Sequence, residues 1–354
     1  MRVSLPVYPR HKTRAEVATL RWVRENTNVP VPKVVSFDDS NDNEIRYEWI
    51  LMEFMEGTSA HRRWRAMSME QKIALTKRIA TFQVELSGLG KPDSMFRSIG
   101  TLDLREVGQT AGVEDSEKVV PGLLVSHEFF MDDRIYYDIP RGPFRSSHDW
   151  LTTELNIILL HQTAVLEKTE DEDDKEDAEE VLLVARTLLS LVPKVFPPTL
   201  DESETTGLYH HDLHLNNILV NNEGEITAVL DWECVSALPL WMLTQVPKSL
   251  DGPIREEEPQ RDMYADKTPG ESDATAGEHN DPDYLDSDGK NELYYIHEME
   301  YEATQLRKVY KARLRELWPE WPLEESYVKV DFFQAVSQCD GIWVKKVTPM
   351  SKRE

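Results

Sequence analysis

Between Leu208 and Glu233 the chain reads LYHHDLHLNNILVNNEGEITAVLDWE, with three histidines and several Asn and Asp residues around two short apolar runs. Val and Ile in NILV and EITAVL favour pleated structure, and NNEG between them has the Asn/Gly chemistry of a turn, so a β-hairpin is expected. A hairpin brings its outer ends together: Asn217 opens the first strand, Asp231 closes the second, and Asp212 lies in the loop entering the same end. One carboxylate and one amide oxygen are too few to cage a bare divalent ion. They suit Mg²⁺, which keeps waters and takes further ligands from a substrate's phosphates. A separate aspartate within reach could accept the proton of an attacking hydroxyl. Together these residues describe phosphoryl transfer from a nucleotide. A zinc site built on His210, His211 and His214 leaves the hairpin and aspartates unexplained, and no cysteine or further histidine cluster completes a tetrahedral shell.

The segment His210-His211-Asp212-Leu213-His214-Leu215-Asn216-Asn217 resembles the H-x-D-x-x-x-x-N catalytic loop of the kinase superfamily, with Asp231 where the metal-binding aspartate follows. The form HxDLHxxNILV…LDWE, with Asp-Trp-Glu in place of Asp-Phe-Gly, is similar to the aminoglycoside phosphotransferase (APH) family, a relative of choline kinases. That resemblance implies an α+β, two-lobed protein kinase-like fold with a small, incomplete β-rich N-lobe (1–55) and a larger, mainly helical C-lobe (56–354). ATP and Mg²⁺ are the implied cofactors. Asp212 would be catalytic with His210 bracing its loop, and Asn217 and Asp231 would hold the metal. Arg2 takes the place of the phosphate-contacting lysine, Glu16 that of its helix partner, and Glu53, Phe54 and Met55 form the hinge that would meet adenine. The family's acceptors are small hydroxylated molecules, often cationic, and fold and motif leave this one open.

Two features depart from the family pattern. Arginine replaces lysine at position 2, keeping a permanent charge and a bidentate grip on phosphate. The chain also begins at this strand, without the two strands and loop expected to cover the phosphates. These departures motivate an alternative, an impaired or truncated family member acting as a binding or regulatory protein.

The elements that must position these residues are also legible. MRVSLPV reads as a short strand. TRAEVATLRWVRENT reads as a helix with Val17, Leu20 and Val23 on one face, and Thr13 and Glu16 stand at capping-box spacing, a second explanation for Glu16. VPVPKVVSFD and RYEWILMEF read as two more strands. Apolar periodicity predicts a helix over SMEQKIALTKRIATFQVELSGL that buries Ile73, Leu75, Ile79, Ala80, Phe82 and Leu86. Further helices are expected over SHDWLTTELNIILLHQTAVLEK, AEEVLLVARTLLSLVPKVF and two closing segments from Glu292 and Ser326. IGTLDL and GLLVSHEFF read as short strands or loops.

The 354 residues suffice for two lobes with a proper core, and 40% hydrophobic composition fits a globular fold. No apolar stretch spans a membrane and no leader is apparent, so no membrane partner and a cytoplasmic location are expected. Two cysteines, Cys234 and Cys339, fit a reduced compartment. The net charge of −25 is concentrated: residues 167–180 carry −8 and residues 251–292 carry −10. Acidic blocks repel phosphates, which counts against nucleic acid. They could steer cationic molecules or serve an interaction protein, but the first block is expected to be a solvated helix end or loop and the second a disordered insertion.

Overall fold

The computed structural model describes residues 1–4, 8–89, 95–105, 118–130, 132–198, 203–264, 291–320 and 323–340. Its first elements are β1 (Arg2–Val3), α1 (His11–Asn26), β2 (Val34–Asp38) and β3 (Trp49–Met52), with the strands in an antiparallel sheet of order β1-β3-β2. Arg2 is paired with Ile50 across this sheet. Helix α1 buries Val17, Leu20 and Val23 in a core that also contains Ile50, as its periodicity demands.

The start of α1 differs from the expectation. Arg10, with φ of 70°, is the cap residue and has no side-chain cap bond; its backbone N–H donates to Glu48 Oε1 at 2.5 Å. The helix therefore begins before Thr13, and Thr13 and Glu16 are both buried inside it. The capping box does not form, which frees Glu16 to point at another partner.

After β3 the chain crosses residues 53–57 into β4 (Thr58–Ser59), α2 (Ala60–Arg63) and α3 (Met69–Leu86). Ser68 and Gln71 form a capping box at the start of α3, and all the predicted apolar positions are buried except Ile73, which is half-buried. Next come β5 (Gly100–Arg105), β6 (Lys118–Pro121), α4 (His127–Phe130), α5 (Ser147–Lys168) and α6 (Glu172–Val195). The end of GLLVSHEFF is thus a helical turn rather than a strand or loop, with Phe129 and Phe130 buried. Asp171 caps α6, and Glu172, Asp173 and Asp174 fill its first turn, where carboxylates are favoured by the helix dipole.

The remaining elements are β7 (Thr206–Tyr209), β8 (Ile218–Val220), β9 (Ile226–Val229), β10 (Ser236–Pro239), α7 (Glu292–Leu317) and α8 (Leu323–Gln338). Two further antiparallel sheets result, of order β6-β5-β10-β7 and β4-β8-β9. Helix α7 is tied to α3 by Lys72 Nζ on Glu302 Oε1 at 2.6 Å, and Trp64 Nε1 donates to Glu302 Oε2 at 2.8 Å.

The first part of the acidic insertion is tied to α7. Arg255 N donates to Thr304 Oγ1 at 3.0 Å and its side chain pairs with Glu300 at 2.9 Å, while Arg307 donates to the carbonyls of Gly252 and Pro253 at 2.7 Å each. Residues 265–290 lie outside the described residues. Among the described residues, no helix is long and apolar enough to cross a membrane.

Candidate active site

The hairpin forms as expected. In β8-β9, Ile218 faces Val229 and Leu219 faces Ala228, and Asn221 closes the turn by accepting the N–H groups of Glu223 and Glu225 on its side chain. Gly224 takes the left-handed φ of 82° that this turn requires. At the open end, Leu230 N donates to the Asn217 carbonyl at 2.8 Å. Asp231 follows with φ of 64°, a conformation uncommon for a non-glycine residue, and it turns the carboxylate out of the strand line.

The loop ahead of β8 is braced from several sides. His210 is buried, and its Nε2 donates to the Leu230 carbonyl at 3.1 Å, so a bond from the loop reaches the residue before Asp231. Burial pushes the His210 imidazole down to about 4, with the Leu230 contact working the other way. Trp232 meets the ring edge-on at 4.8 Å between centroids. Asn217 Nδ2 donates to the Asp212 carbonyl at 3.0 Å and to Asp212 Oδ2 at 3.1 Å. The amide oxygen on the opposite side of that planar group is left to accept or coordinate.

Asp212 is held through both oxygens. His214 Nε2 lies 3.3 Å from Oδ2, and Lys248 Nζ lies 3.1 Å from Oδ1. Desolvation works to raise the Asp212 carboxyl, but the Lys248 hydrogen bond and the neighbouring His214 outweigh it and keep it below the usual aspartate range. Ser249 N donates to the Leu213 carbonyl at 2.9 Å, which anchors Lys248 beside the loop.

From the small sheet, Arg2 reaches the same end of the hairpin. Its guanidinium bridges Glu16 Oε1 and Asp231 Oδ1, each at 2.9 Å, and Glu233 Oε2 at 2.5 Å; Lys12 Nζ also meets Glu233, at 2.8 Å. Glu16 is 1% exposed, and burial pushes its carboxyl up to about 7 while Arg2 pulls it back. Partial burial would raise Glu233, but Lys12 and Arg2 keep it below the ordinary glutamate range.

The predicted hinge residues take no part in this ionic cluster. Glu53 N donates to the Lys33 carbonyl at 2.9 Å and its carboxylate lies 3.7 Å from Arg24, Phe54 is 87% exposed, and Met55 is half-buried. Just beyond them, Glu56 accepts a bond from Thr227 on the hairpin at 2.7 Å, and Pro30 accepts one from Val229 at 2.8 Å. The crossing segment is thereby fastened to the hairpin.

Sequence reasoning missed Lys12, Glu233 and Lys248. Lys12 stands one helical turn before Glu16, and Glu233 ends the Asp-Trp-Glu run, so both had a local signal. Lys248 lies 36 residues beyond Asp212 and had none. Also missed was a cavity of about 280 Å³ beside the loop, reached past His211, His127 and Glu128. Its buried wall comprises Leu124, Trp150, Glu154, Ser236, Leu238 and Met242.

In chemical terms, an amide oxygen and a carboxylate at one hairpin mouth suit a hard cation that brings its other ligands as water and phosphate oxygens. Among the described residues, no group of three or more His, Cys, Asp or Glu side chains is arranged to hold a metal alone. Asn217 and Asp231 fit Mg²⁺ arriving with a nucleotide better than a resident metal.

A small sheet and helix joined through one crossing segment to a larger helical body, with a loop aspartate and a hairpin that ends at Asp231 in that body, define a two-lobed kinase-like fold of the α+β class. The chain belongs to the phosphotransferase enzyme family (APH), whose model matches residues 1–242. A subtelomeric hrmA-associated cluster protein of Aspergillus fumigatus is 27% identical over 292 residues, covering 70% of this chain and 55% of that protein. The mitochondrial protein Altered inheritance of mitochondria protein 9 of Candida glabrata is 22% identical over 298 residues, covering 69% of this chain and 45% of its own length. The chain thus spans about half the length of these curated relatives. Among solved structures, the gentamicin-APH(2'')-IIa complex aligns with a TM-score of 0.38 and 15% identity, over 95% of this chain and 83% of that one.

Proposed function

We propose that the chain transfers the γ-phosphate of ATP to a hydroxyl of a small molecule. The observation that carries this reading is the bonding at the hairpin mouth: Asn217 is tied both to Asp212 and to Leu230, so Asp212, Asn217 and Asp231 converge. Asn217 and Asp231 would hold Mg²⁺, which when bound would supply neutralisation of the phosphate charge. Asp212, kept ionised by Lys248 and His214, is a weak base suited to orienting the acceptor hydroxyl and taking its proton late, as a loose transition state allows. His210 fixes the loop as a neutral donor. Arg2, which cannot lose its charge, would exchange its bond with Asp231 for phosphate oxygens while Glu16 retains it.

The test is ADP formation from ATP and Mg²⁺ across a panel of small alcohols, with Asp212→Ala beside the wild type. Acceptor-dependent turnover that the substitution abolishes supports transfer, and turnover unchanged in Asp212→Ala overturns the catalytic assignment. A second reading, a nucleotide-binding protein without transfer, is favoured by the Arg2–Asp231 pair, which competes with a metal for the same oxygen. It predicts ATP binding with no turnover on any acceptor.

A further inference from the structure

The cavity beside the Asp212 loop has a composition that discriminates among acceptors. Its 280 Å³ equals roughly nine waters at about 30 Å³ each, and lies just under the usual range for ligand pockets. That is room for one ring or a short chain within the cavity. The buried wall is mainly apolar; its buried polar members are Ser236, whose hydroxyl is 2.8 Å from Thr101 Oγ1, and Glu154, which is 3% exposed and lies on α5. Among the described residues Glu154 has no ion-pair partner: the nearby Arg134 is committed to Asp340 and to the Glu128 carbonyl. An ionised carboxylate there would be a buried charge without an ion-pair partner, which is unfavourable.

Resting on the phosphotransferase reading, we propose that this cavity is the acceptor site and that it selects small uncharged alcohols. Their apolar body lies against Trp150, Leu238 and Met242, and a second oxygen-bearing group at the far end meets the protonated carboxyl of Glu154. The reacting hydroxyl is left at the rim, where His211 immediately precedes Asp212.

The surrounding charges agree with this selection. Burial first, then Glu128 and Asp340, push the Glu154 carboxyl up to about 8, while Arg134 and the Trp150 indole pull it back. Of the other titratable groups on the wall, Tyr209 and Cys234 are each pushed up to about 12 by burial and remain uncharged, and His127, His211 and Glu128 stand at the exposed rim. A protonated carboxyl can donate one hydrogen bond and accept another, the pairing that a hydroxyl or carbonyl terminus requires. Most carboxyl-lined pockets invite cations; here the depth and the missing counter-charge reverse that preference.

The test uses two probes matched in size, benzene-1,4-dimethanol and 4-(aminomethyl)benzyl alcohol, with binding to the full chain read by saturation-transfer NMR in the absence of nucleotide. At about pH 6.5 the diol binds at least about tenfold more tightly than the amine, because only the amine brings a charge to the wall. Raising the pH to about 9 ionises Glu154 and weakens the diol about tenfold in the wild type, a readout that needs no variant. In Glu154→Gln the diol still binds and the pH dependence disappears. Preference for the amine, lost in Glu154→Gln, overturns the proposal in favour of a cation site, and binding of neither probe overturns it outright. Magnesium-dependent ATP binding, measured separately, reports on the phosphotransferase reading: its failure with diol binding intact sinks that reading and leaves the cavity's selectivity standing.

Discussion

Replacing His210 by Gln tests whether the imidazole braces the loop as a neutral buried donor. The side chain is buried, its Nε2 bonds the Leu230 carbonyl at 3.1 Å, and burial lowers its pKa to about 4 from the ordinary 6.5. The folded-state value is lowered, so the unfolded chain takes up this proton first. Stability is therefore fully present above about pH 6.5 and drains away as the pH falls towards 4. At about 1.4 kcal/mol per pH unit, His210 accounts for a loss of about 2 kcal/mol between pH 7.5 and pH 5, and about 3 kcal/mol in full by pH 4. Glu16 and Glu154, whose values are raised, act in the opposite sense, but they are present in both proteins and cancel in the comparison. Glutamine places an amide N–H near the Nε2 position and removes the titration, at a cost of about 1 kcal/mol at pH 7.5. Urea unfolding of both proteins at the two pH values measures the difference directly. Equal losses in wild type and variant would refute the buried neutral brace.

Substituting Lys248→Met removes the cation on Asp212 Oδ1, so the Asp212 carboxyl rises towards its ordinary range and the acid limb of the transfer rate moves to higher pH. An unmoved limb in the pH–rate profile would detach Lys248 from the site. Gly207→Ala in β7 would put a Cβ 2.6 Å from Ser87 Cα and 2.9 Å from its carbonyl oxygen, so backbone must shift at the end of α3. The expected cost is about 1–3 kcal/mol, read as a lowered melting temperature; an unchanged melting point would contradict that close approach. Glu302→Gln leaves buried Lys72 without its countercharge and should cost about 3 kcal/mol in urea unfolding. No loss would mean that the α3–α7 pair is not held there.

The local parts of this structure were legible because short-range chemistry decides them. The NNEG turn with alternating Val and Ile specified the β8-β9 hairpin, and apolar periodicity specified α3 and α5. The same local rules misplaced the start of α1: Thr13 and Glu16 had capping-box spacing, but Glu48 from the neighbouring strand region supplies the acceptor at Arg10 instead. Tertiary partners overrode the local signal. Contacts between distant segments had no signal at all, as with Lys248 on Asp212, Arg307 on the Gly252 and Pro253 carbonyls, and the cavity assembled from α4, α5 and β10. The convergence of Asp212, Asn217 and Asp231 was readable because one hairpin carries it. The cavity was not, because five separate stretches of chain contribute to it.

The account depends most directly on the hairpin mouth being a nucleotide site, and calorimetric titration of the chain with ATP, with and without Mg²⁺, tests this with Asp231→Ala as control. The account predicts saturable binding that requires the metal and is weakened at least about tenfold by the substitution, the loss of a charged metal ligand. Absence of binding by protein shown to be folded, or metal-independent binding that Asp231→Ala leaves unchanged, would contradict it.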